Sequence, residues 1–172
     1  MAIEIVQAEV RPLHESEVAL VERHFPSAIA DKHRVRLARQ RRGVSLYLIA
    51  WLEGLPVGHV LLKFDGAGTE PVASRLRGCP HLEDLLVRPE WRSRGIGSSL
   101  LEAAEQAAMA RGCEHIGLSV AAENARARKL YGSRGYVDSG LGESGSSGSY
   151  LDAEGTLRSR ADVSLYLVKK LD

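Results

Sequence analysis

The stretch LEDLLVRPEWRSRGIGSSLLEAAEQAAMA, from Leu82 to Ala110, decides how the rest of the chain is interpreted. Its apolar first part, LEDLLV, predicts a strand that ends at Pro89, because proline cannot donate a ladder hydrogen bond. Its last part, SSLLEAAEQAAMA, carries apolar residues at helical spacing and predicts an amphipathic helix terminated at Gly112. Between the two lies an Arg- and Gly-rich corner, RSRGIG, where a strand gives way to the start of a helix.

The corner RSRGIG has the features of a loop that binds an anion. Backbone N–H groups at a helix N-terminus have no intrahelical partner, and they lie at the positive end of the helix dipole. Gly95 and Gly97 let a ligand approach the main chain, and Arg92 and Arg94 can add charge-assisted hydrogen bonds. The pattern predicts a phosphate-binding corner, with a tight turn built on two flexible glycines as the alternative.

Two common phosphate-binding motifs do not fit this corner. A mononucleotide P-loop requires a lysine after its last glycine, and Ser98 stands at that position. A dinucleotide fingerprint requires a third glycine where Leu100 stands. A different diphosphate is the remaining ligand of this kind.

The composition is that of one ordinary globular domain spanning residues 1–172. The 23 basic and 22 acidic residues nearly cancel, so we expect neither nucleic acid nor a membrane surface as a partner. Cys79 and Cys113 match no metal-ligand spacing, and the sequence shows no long apolar run and no signal peptide. We therefore expect a cytoplasmic protein that needs no metal.

The remaining segments predict a mixed sheet flanked by helices. Strands are predicted at 3–7, as a hairpin within 44–64, at 115–120 and at 161–171, and helices at 13–25, 27–42 and 123–135. The predicted fold class is α/β or α+β, with a mostly antiparallel sheet. The basic helix at 27–42 is interpreted as a solvated face, with an acidic partner as the alternative. The Gly- and Ser-rich stretch at about 139–160 is predicted to be a mobile loop that closes over the substrate.

In this context the corner resembles a known signature. RSRGIG, with LLVRPEW before it and SSLLEAAEQAA after it, resembles the Arg/Gln-x-x-Gly-x-Gly/Ala pyrophosphate loop of the GNAT superfamily of N-acetyltransferases. The downstream segment ENARARKLYGSRGY is similar to the second signature of that superfamily, carried here by Asn124, Ala127, Tyr131, Gly135 and Tyr136. The resemblance is specific from about Leu82 to Tyr136, and the two signatures occur in the order found in the superfamily.

The resemblance implies where acetyl-coenzyme A would bind. In the superfamily this cosubstrate lies in a cleft between two central strands that splay apart. Backbone groups of Leu85 and Val87 would hold its pantetheine arm, and the Leu85 N–H would polarise the thioester carbonyl. Asn124 and Tyr131, seven residues apart, would point from one helix face toward the same arm. The diphosphate loop would comprise Arg92, Arg94, Gly95, Ile96, Gly97 and Ser98.

The reaction needs a general base, because an aliphatic amine is protonated near neutral pH. His81 and Glu83 are the two candidate side chains, and a water relay is the third possibility. Residues alternate along a strand, so His81, Glu83 and Leu85 are predicted to face one side and Asp84 the other.

The reaction also needs a proton for the departing thiolate, and Tyr131 is the candidate general acid. Packing of its ring against the pantetheine arm is the alternative role. His59 and His115 are interpreted as surface or strand-edge residues without a part in the chemistry.

These features predict an N-acetyltransferase that moves acetyl from acetyl-coenzyme A to a primary amine by direct attack in a ternary complex. The acceptor would be a small molecule or a peptide, through its N-terminus or a lysine. The alternatives are a non-catalytic acyl-coenzyme A sensor or interaction domain and a nucleotide-binding module. A homodimer formed through the sheet edge is also possible.

Overall fold

A computed structural model describes residues 2–141, 146–151, 157–162 and 164–172, and for 146–151 and 157–162 only the backbone. The strands are β1 (Glu9–Pro12), β2 (Ser45–Leu52), β3 (Leu55–Lys63), β4 (His81–Val87), β5 (His115–Ala121), β6 (Val137–Asp138), β7 (Ser146–Leu151), β8 (Leu157–Asp162) and β9 (Ser164–Lys170). The helices are α1 (Val18–His24), α2 (Lys32–Arg41), α3 (Val72–Arg75), α4 (Ile96–Ala110) and α5 (Ala125–Ser133), with 3-10 turns at Glu15–Glu17 and Pro89–Trp91.

Seven strands form one sheet in the order β1-β2-β3-β4-β5-β9-β6. All neighbours are antiparallel except β4 and β5, which run parallel. In the described part of the chain, β4 and β5 pair only at His81 with Gly117 and at Leu82 with Leu118. Beyond Leu82 the two strands therefore separate, which confirms the predicted mostly antiparallel sheet with splayed central strands.

Helix α4 anchors one face of the sheet. Its buried residues Ile96, Leu100, Leu101, Ala104 and Ala108 follow the apolar spacing from which the helix was predicted. They pack against inward-facing residues of β2, β3, β4 and β5. Full burial of one such leucine contributes about 1.5–3 kcal/mol, so this layer holds the α4 N-terminus firmly against the sheet.

Helices α1 and α2 cover the opposite face. The second apolar cluster combines residues from the first helices, β2 and β3: Leu13, Val18, Val21, Phe25, Leu37, Tyr47, Ile49, Trp51 and Leu61. The hairpin of β2 and β3 is thus buried on both faces, in agreement with its long apolar runs.

The basic helix α2 lies within ion pairs. Arg34 and Arg39 bond carboxylates of Glu22 and Asp65, both at 2.9 Å. Arg41 pairs with Glu15. These carboxylates lie outside α2 in the same chain. They neutralise much of the positive charge on the face of α2 that was predicted to be solvated.

Two element boundaries differ from the prediction. The alternating residues 3–7 lie outside the strands, and the Val6 N–H instead donates to the Arg94 carbonyl at 3.1 Å. The first strand forms at Glu9–Pro12 because β2 offers its ladder there, a long-range pairing that local alternation does not register. Helix α2 begins at Lys32 and not at residue 27, after Asp31 adopts a left-handed conformation with φ of 54°.

The Gly- and Ser-rich stretch contains the antiparallel pair β7 and β8. Residues 142–145 and 152–156, which belong to the predicted mobile loop, lie outside the described residues. The mobility of this stretch and its closure over a substrate stay predictions. No helix in the part of the chain that is described has the length and apolar character to cross a bilayer.

Candidate active site

The separation of β4 from β5 opens two adjoining cavities. One, of about 600 Å³, is lined by the end of β4, the RSRGIG corner and the start of α5. The other, of about 880 Å³, is lined by the start of β4, by β5 and by residues 67–70. Leu85 and Tyr131 line both cavities, so they mark the junction between them.

A β-bulge in β4 determines which side chains and backbone N–H groups face the junction of the two cavities. Asp84 has a φ of 56°, and the register with β3 shifts between His59 and Leu61. The Asp84 carboxylate lies 2.6 Å from Lys32 Nζ and 2.9 Å from the guanidinium of Arg36, both on α2. Burial raises the pKa of Asp84, but the hydrogen bond from Lys32 and the neighbouring positive charges outweigh it and lower the pKa overall.

The bulge corrects the predicted facing of the β4 side chains. His81 and Glu83 pair with Lys63 and Leu61 of β3, so they share one face as predicted. Leu85 does not share it, because it packs in the cluster around α4. The Asp84 side chain contacts α2, whereas strand alternation predicted it on the face opposite His81 and Glu83. The extra residue of a bulge breaks the two-residue period on which that prediction depended.

After the bulge, alternate backbone N–H groups of β4 point into the cleft between β4 and β5. The Arg88 N–H donates to the Val57 carbonyl of β3 at 2.9 Å. Successive N–H groups of a strand alternate in direction, so the N–H groups of Val87 and Leu85 point away from β3, toward the gap before β5. The Val87 carbonyl accepts a hydrogen bond from Arg92 Nε at 3.0 Å.

The RSRGIG corner forms a cradle at the N-terminus of α4. Gly95 occupies the N-cap with a φ of 87°, a left-handed conformation that favours glycine. The N–H groups of Ile96, Gly97 and Ser98 fall in the first turn, where helical geometry supplies no acceptor. A Cβ on Gly97 would lie 3.4 Å from Leu130 Cδ2, so α4 and α5 approach closely at this point.

The two arginines of the corner differ in position. Arg92 lines the 600 Å³ cavity together with Gly95, Ile96, Gly97 and Ser98. Arg94 does not belong to that lining, and its guanidinium instead lies 5.0 Å from the centroid of the Trp91 ring. The phosphate contact predicted for Arg94 stays a prediction that this geometry does not favour.

Arg126 is a site residue that the sequence reasoning missed. It lines the 600 Å³ cavity, and its guanidinium donates to Ser93 Oγ at 3.1 Å. Ser93 itself has a φ of 61° in the corner. The available signal was a basic residue in the first turn of the helix that carries the second signature, and it was not used.

Asn124 and Tyr131 both line the cavity, but in different ways. Asn124 is the N-cap of α5, and its side-chain oxygen accepts from the Ala127 N–H at 3.1 Å. Tyr131 is half-buried and packs edge-to-face on Tyr136, with ring centroids 5.9 Å apart. Burial raises the pKa of Tyr131, so its phenol keeps its proton near neutral pH.

The two candidate bases, His81 and Glu83, both line the larger cavity but differ in how deeply they are buried. His81 is buried, with 9% of its surface exposed, and its Nδ1 lies 3.1 Å from the Tyr166 hydroxyl. Burial lowers the pKa of His81, so the imidazole is neutral at pH 7. Glu83 is exposed on the same face of β4.

Comparison with known proteins places this arrangement in a family. A sequence model of the acetyltransferase (GNAT) family matches residues 10–136, most of the chain. The chain belongs to the GNAT family. Bovine (Bos taurus) thialysine N-epsilon-acetyltransferase is 40% identical over 58 residues, which are 34% of this chain and 34% of that protein. The chain thus aligns with about a third of that relative.

Solved structures share the GNAT fold over nearly the whole chain. PaiA N-acetyltransferase from Thermoplasma acidophilum, in complex with coenzyme A, superposes with a TM-score of 0.64 at 18% identity, covering 96% of this chain and 99% of that one. Ribosomal-protein-alanine N-acetyltransferase from Brucella melitensis gives 0.64 at 21% identity, covering 95% and 99%. At these identities the likeness establishes the fold alone.

Other reactive side chains of this GNAT-family chain lie outside the two cavities. Cys79 is buried, and burial raises the pKa of its thiol to about 11. His59 was interpreted as a surface or strand-edge residue, which is wrong: it is 1% exposed, and burial lowers its pKa to about 4. Among the described residues, no three His, Cys, Asp or Glu side chains are grouped to hold a metal ion.

Proposed function

We propose that the chain is an N-acetyltransferase that transfers acetyl from acetyl-coenzyme A to a primary amine by direct attack in a ternary complex. The observation that carries the proposal is the continuity of the site. A cradle of helix N–H groups, a strand edge that no other described strand pairs with, and a protonated phenol line two cavities that meet at Leu85 and Tyr131.

The residues present fit the cosubstrate. The first turn of α4 offers main-chain N–H groups to a diphosphate, with Arg92 and Arg126 beside it. The outward N–H groups of Leu85 and Val87 can pair with an extended amide-containing arm as a further strand would. Acetyl-coenzyme A supplies the activated acyl group, and the Leu85 N–H is the candidate donor to its thioester oxygen.

The chain provides the proton transfers. Formation of the C–N bond and loss of the C–S bond require two protons to leave the nitrogen: one passes through the base to solvent, and the other balances the proton that the departing thiolate takes up. His81, neutral at pH 7, is the candidate to take the first proton, with Glu83 or an intervening water as alternatives. Tyr131, at the junction and protonated, is the candidate to deliver the proton that the thiolate takes up.

The acceptor half of the site suits a cationic amine. Glu70 and Glu83 line the larger cavity together with Lys63, and the two carboxylates outnumber its one ammonium, so the lining favours an ammonium group there. Two of the three named proteins act, by their names, on thialysine and on a ribosomal-protein alanine, both of which present an amine. A small-molecule or peptide amine is therefore the proposed acceptor. A cytoplasmic location and a homodimer remain part of the proposal.

Calorimetry and an amine panel test the function. We expect coenzyme A to bind the purified chain and at least one primary amine to release thiol from acetyl-coenzyme A. Gly97→Val should weaken binding, because a Cβ there lies 3.4 Å from Leu130 at the wall of the 600 Å³ cavity, whereas Gly132→Val in α5, where a Cβ meets no neighbour within 4 Å among the described residues, should not. Cofactor binding without turnover on any amine would favour the sensor alternative. Tighter binding of ATP than of coenzyme A would favour the nucleotide-binding module.

A further inference from the structure

A tyrosine from β9 crosses β5 to reach His81 on β4. The His81 and Tyr166 rings stack with centroids 5.7 Å apart and planes inclined by 12°. The imidazole Nδ1 lies 3.1 Å from the phenol oxygen. Both residues are buried, at 9% and 4% exposure, so the contact is shielded from solvent.

The crossing depends on a glycine in β5. Gly117 pairs with His81 across the short parallel ladder, so it lies between the two elements that carry the rings. A Cβ on Gly117 would lie 2.6 Å from both Cε1 and the hydroxyl oxygen of Tyr166. Only a residue without a side chain allows the phenol to lie over β5 and contact the imidazole.

The direction of the hydrogen bond depends on which ring nitrogen of His81 carries the proton. Burial raises the pKa of Tyr166, so its hydroxyl is neutral, and the oxygen of a neutral phenol can accept a hydrogen bond as well as donate one. A neutral imidazole carries its proton on one ring nitrogen only. A proton on Nδ1, donated to the phenol oxygen, leaves the lone pair on Nε2.

We propose that Tyr166 is a positioning residue for His81: its oxygen accepts the Nδ1–H, which leaves Nε2 as the atom that takes a proton from the acceptor ammonium. This role rests on the proposed acetyl transfer, and Tyr166 itself contacts no reacting atom. In the step, the ammonium N–H bond breaks, a bond forms between that proton and Nε2, and the amine lone pair is freed for attack.

Several titratable groups surround the pair. Burial is the main cause that lowers the pKa of His81, and Lys63 on β3 lowers it further. Glu83 on β4 and Asp65 after β3 act in the opposite direction. Cys79, just before β4, raises the pKa of Tyr166. The net result is that the His81 imidazole is neutral at pH 7 and can accept a proton from the acceptor ammonium.

Nitrogen NMR of the full chain tests the hydrogen bond without any substrate. The chain has 6 histidines, and a His81→Gln spectrum identifies the signals of His81. We expect the Nδ1–H tautomer of His81 at pH 7.5. Tyr166→Phe keeps the ring and removes the oxygen, and Gly117→Ala keeps the oxygen and displaces the ring. Both should move the population toward the commoner Nε2–H tautomer.

Kinetics then test the role. Tyr166→Phe should lower kcat at least about tenfold, a fraction of what loss of a general base costs, with KM values and coenzyme A affinity little changed. Tyr47→Phe is the matched control, because it removes another buried phenol that bonds a histidine, His33, at 2.9 Å. That control should alter neither the His81 tautomer nor kcat.

Each contrary result identifies what fails. An Nε2–H tautomer in the unmodified chain, or a tautomer unaffected by Tyr166→Phe, would overturn the proposal. So would a tautomer change that leaves kcat intact. If the tautomer responds as expected but the unmodified chain acetylates no amine, the role of Nε2 falls with the proposed function, and the NMR result separates that failure from failure of the hydrogen bond.

Discussion

Tyr131 is the residue on which the two halves of the site converge. It lines both cavities, and burial raises the pKa of its phenol. A raised pKa keeps the proton on the oxygen at neutral pH, so the phenol carries the proton that a departing thiolate needs. The position at the junction suits a proton donor, but a buried phenol that only packs would keep its proton as well, so protonation alone does not separate the two roles.

Replacing Tyr131 with phenylalanine distinguishes these two roles. The ring contact with Tyr136 and the cavity wall are retained, so we expect the dissociation constant of coenzyme A to stay unchanged. Loss of the donor should lower kcat by about 10²-fold or more. Single-turnover measurements of thiol release check this, and an unaltered kcat would assign Tyr131 to packing.

The pH dependence of kcat/KM identifies the base. The pKa of His81 lies below its usual value of about 6.5, so a reaction that depends on neutral His81 should lose activity only as the pH falls through that lowered pKa. His81→Gln should remove this acid limb and most of the activity. Glu83→Gln is the informative comparison: retention of the limb in Glu83→Gln supports His81, and its loss there assigns the role to Glu83.

At the scale of elements, the sequence predicted what depends on local pattern. The spacing of Leu100, Leu101, Ala104 and Ala108 was sufficient for α4, and the corner follows from its position between a strand and that helix. The bulge at Asp84 was not predictable. Its left-handed conformation is supported by Lys32 and Arg36, about fifty positions away in the chain, and no local signal reports such a contact.

The Asp84 anchor should support both stability and turnover. Arg36 is buried, so Asp84→Asn leaves its charge without a full partner, and we expect a loss of about 2–4 kcal/mol in the free energy of unfolding. We also expect kcat to fall, because the bulge directs the Leu85 N–H toward the cleft. Urea denaturation and the transfer assay measure the two effects.

A surface pair on the same helix provides the control for this prediction. Arg34→Gln removes an exposed contact with Glu22 and should cost no more than about 1 kcal/mol. If Asp84→Asn were equally mild and left kcat intact, the proposed anchoring of the bulge by α2 would be wrong.

At the scale of the whole molecule, one buried carboxylate links three regions. Glu105 of α4 accepts a hydrogen bond from Tyr136 at 3.0 Å and lies 3.3 Å from the Arg134 guanidinium and 2.8 Å from Lys169 Nζ of β9. It thereby joins the helix behind the cradle, the turn that follows α5 and the strand that carries Tyr166.

Removing this carboxylate should destabilise the fold broadly. Glu105→Leu leaves two cations without their partner, so we expect a loss of about 3–5 kcal/mol in the free energy of unfolding. Glu102→Leu, at an exposed position on the same helix, should change it by less than about 0.5 kcal/mol. Thermal and urea unfolding give both values, and equal effects of the two substitutions would contradict a structural role for the network.

The two-pair ladder between β4 and β5 has a final consequence for how the molecule responds to heat. The sheet has a gap between β4 and β5, and a pantetheine arm bound in that gap would connect the two strands by hydrogen bonds and van der Waals contacts. At a hundred times its dissociation constant, such a ligand adds about 2.7 kcal/mol, enough to raise the melting temperature by roughly 5–10 °C. When coenzyme A binds, hydrogen–deuterium exchange of backbone amides should slow most in β4 and β5, along the edges that face the gap.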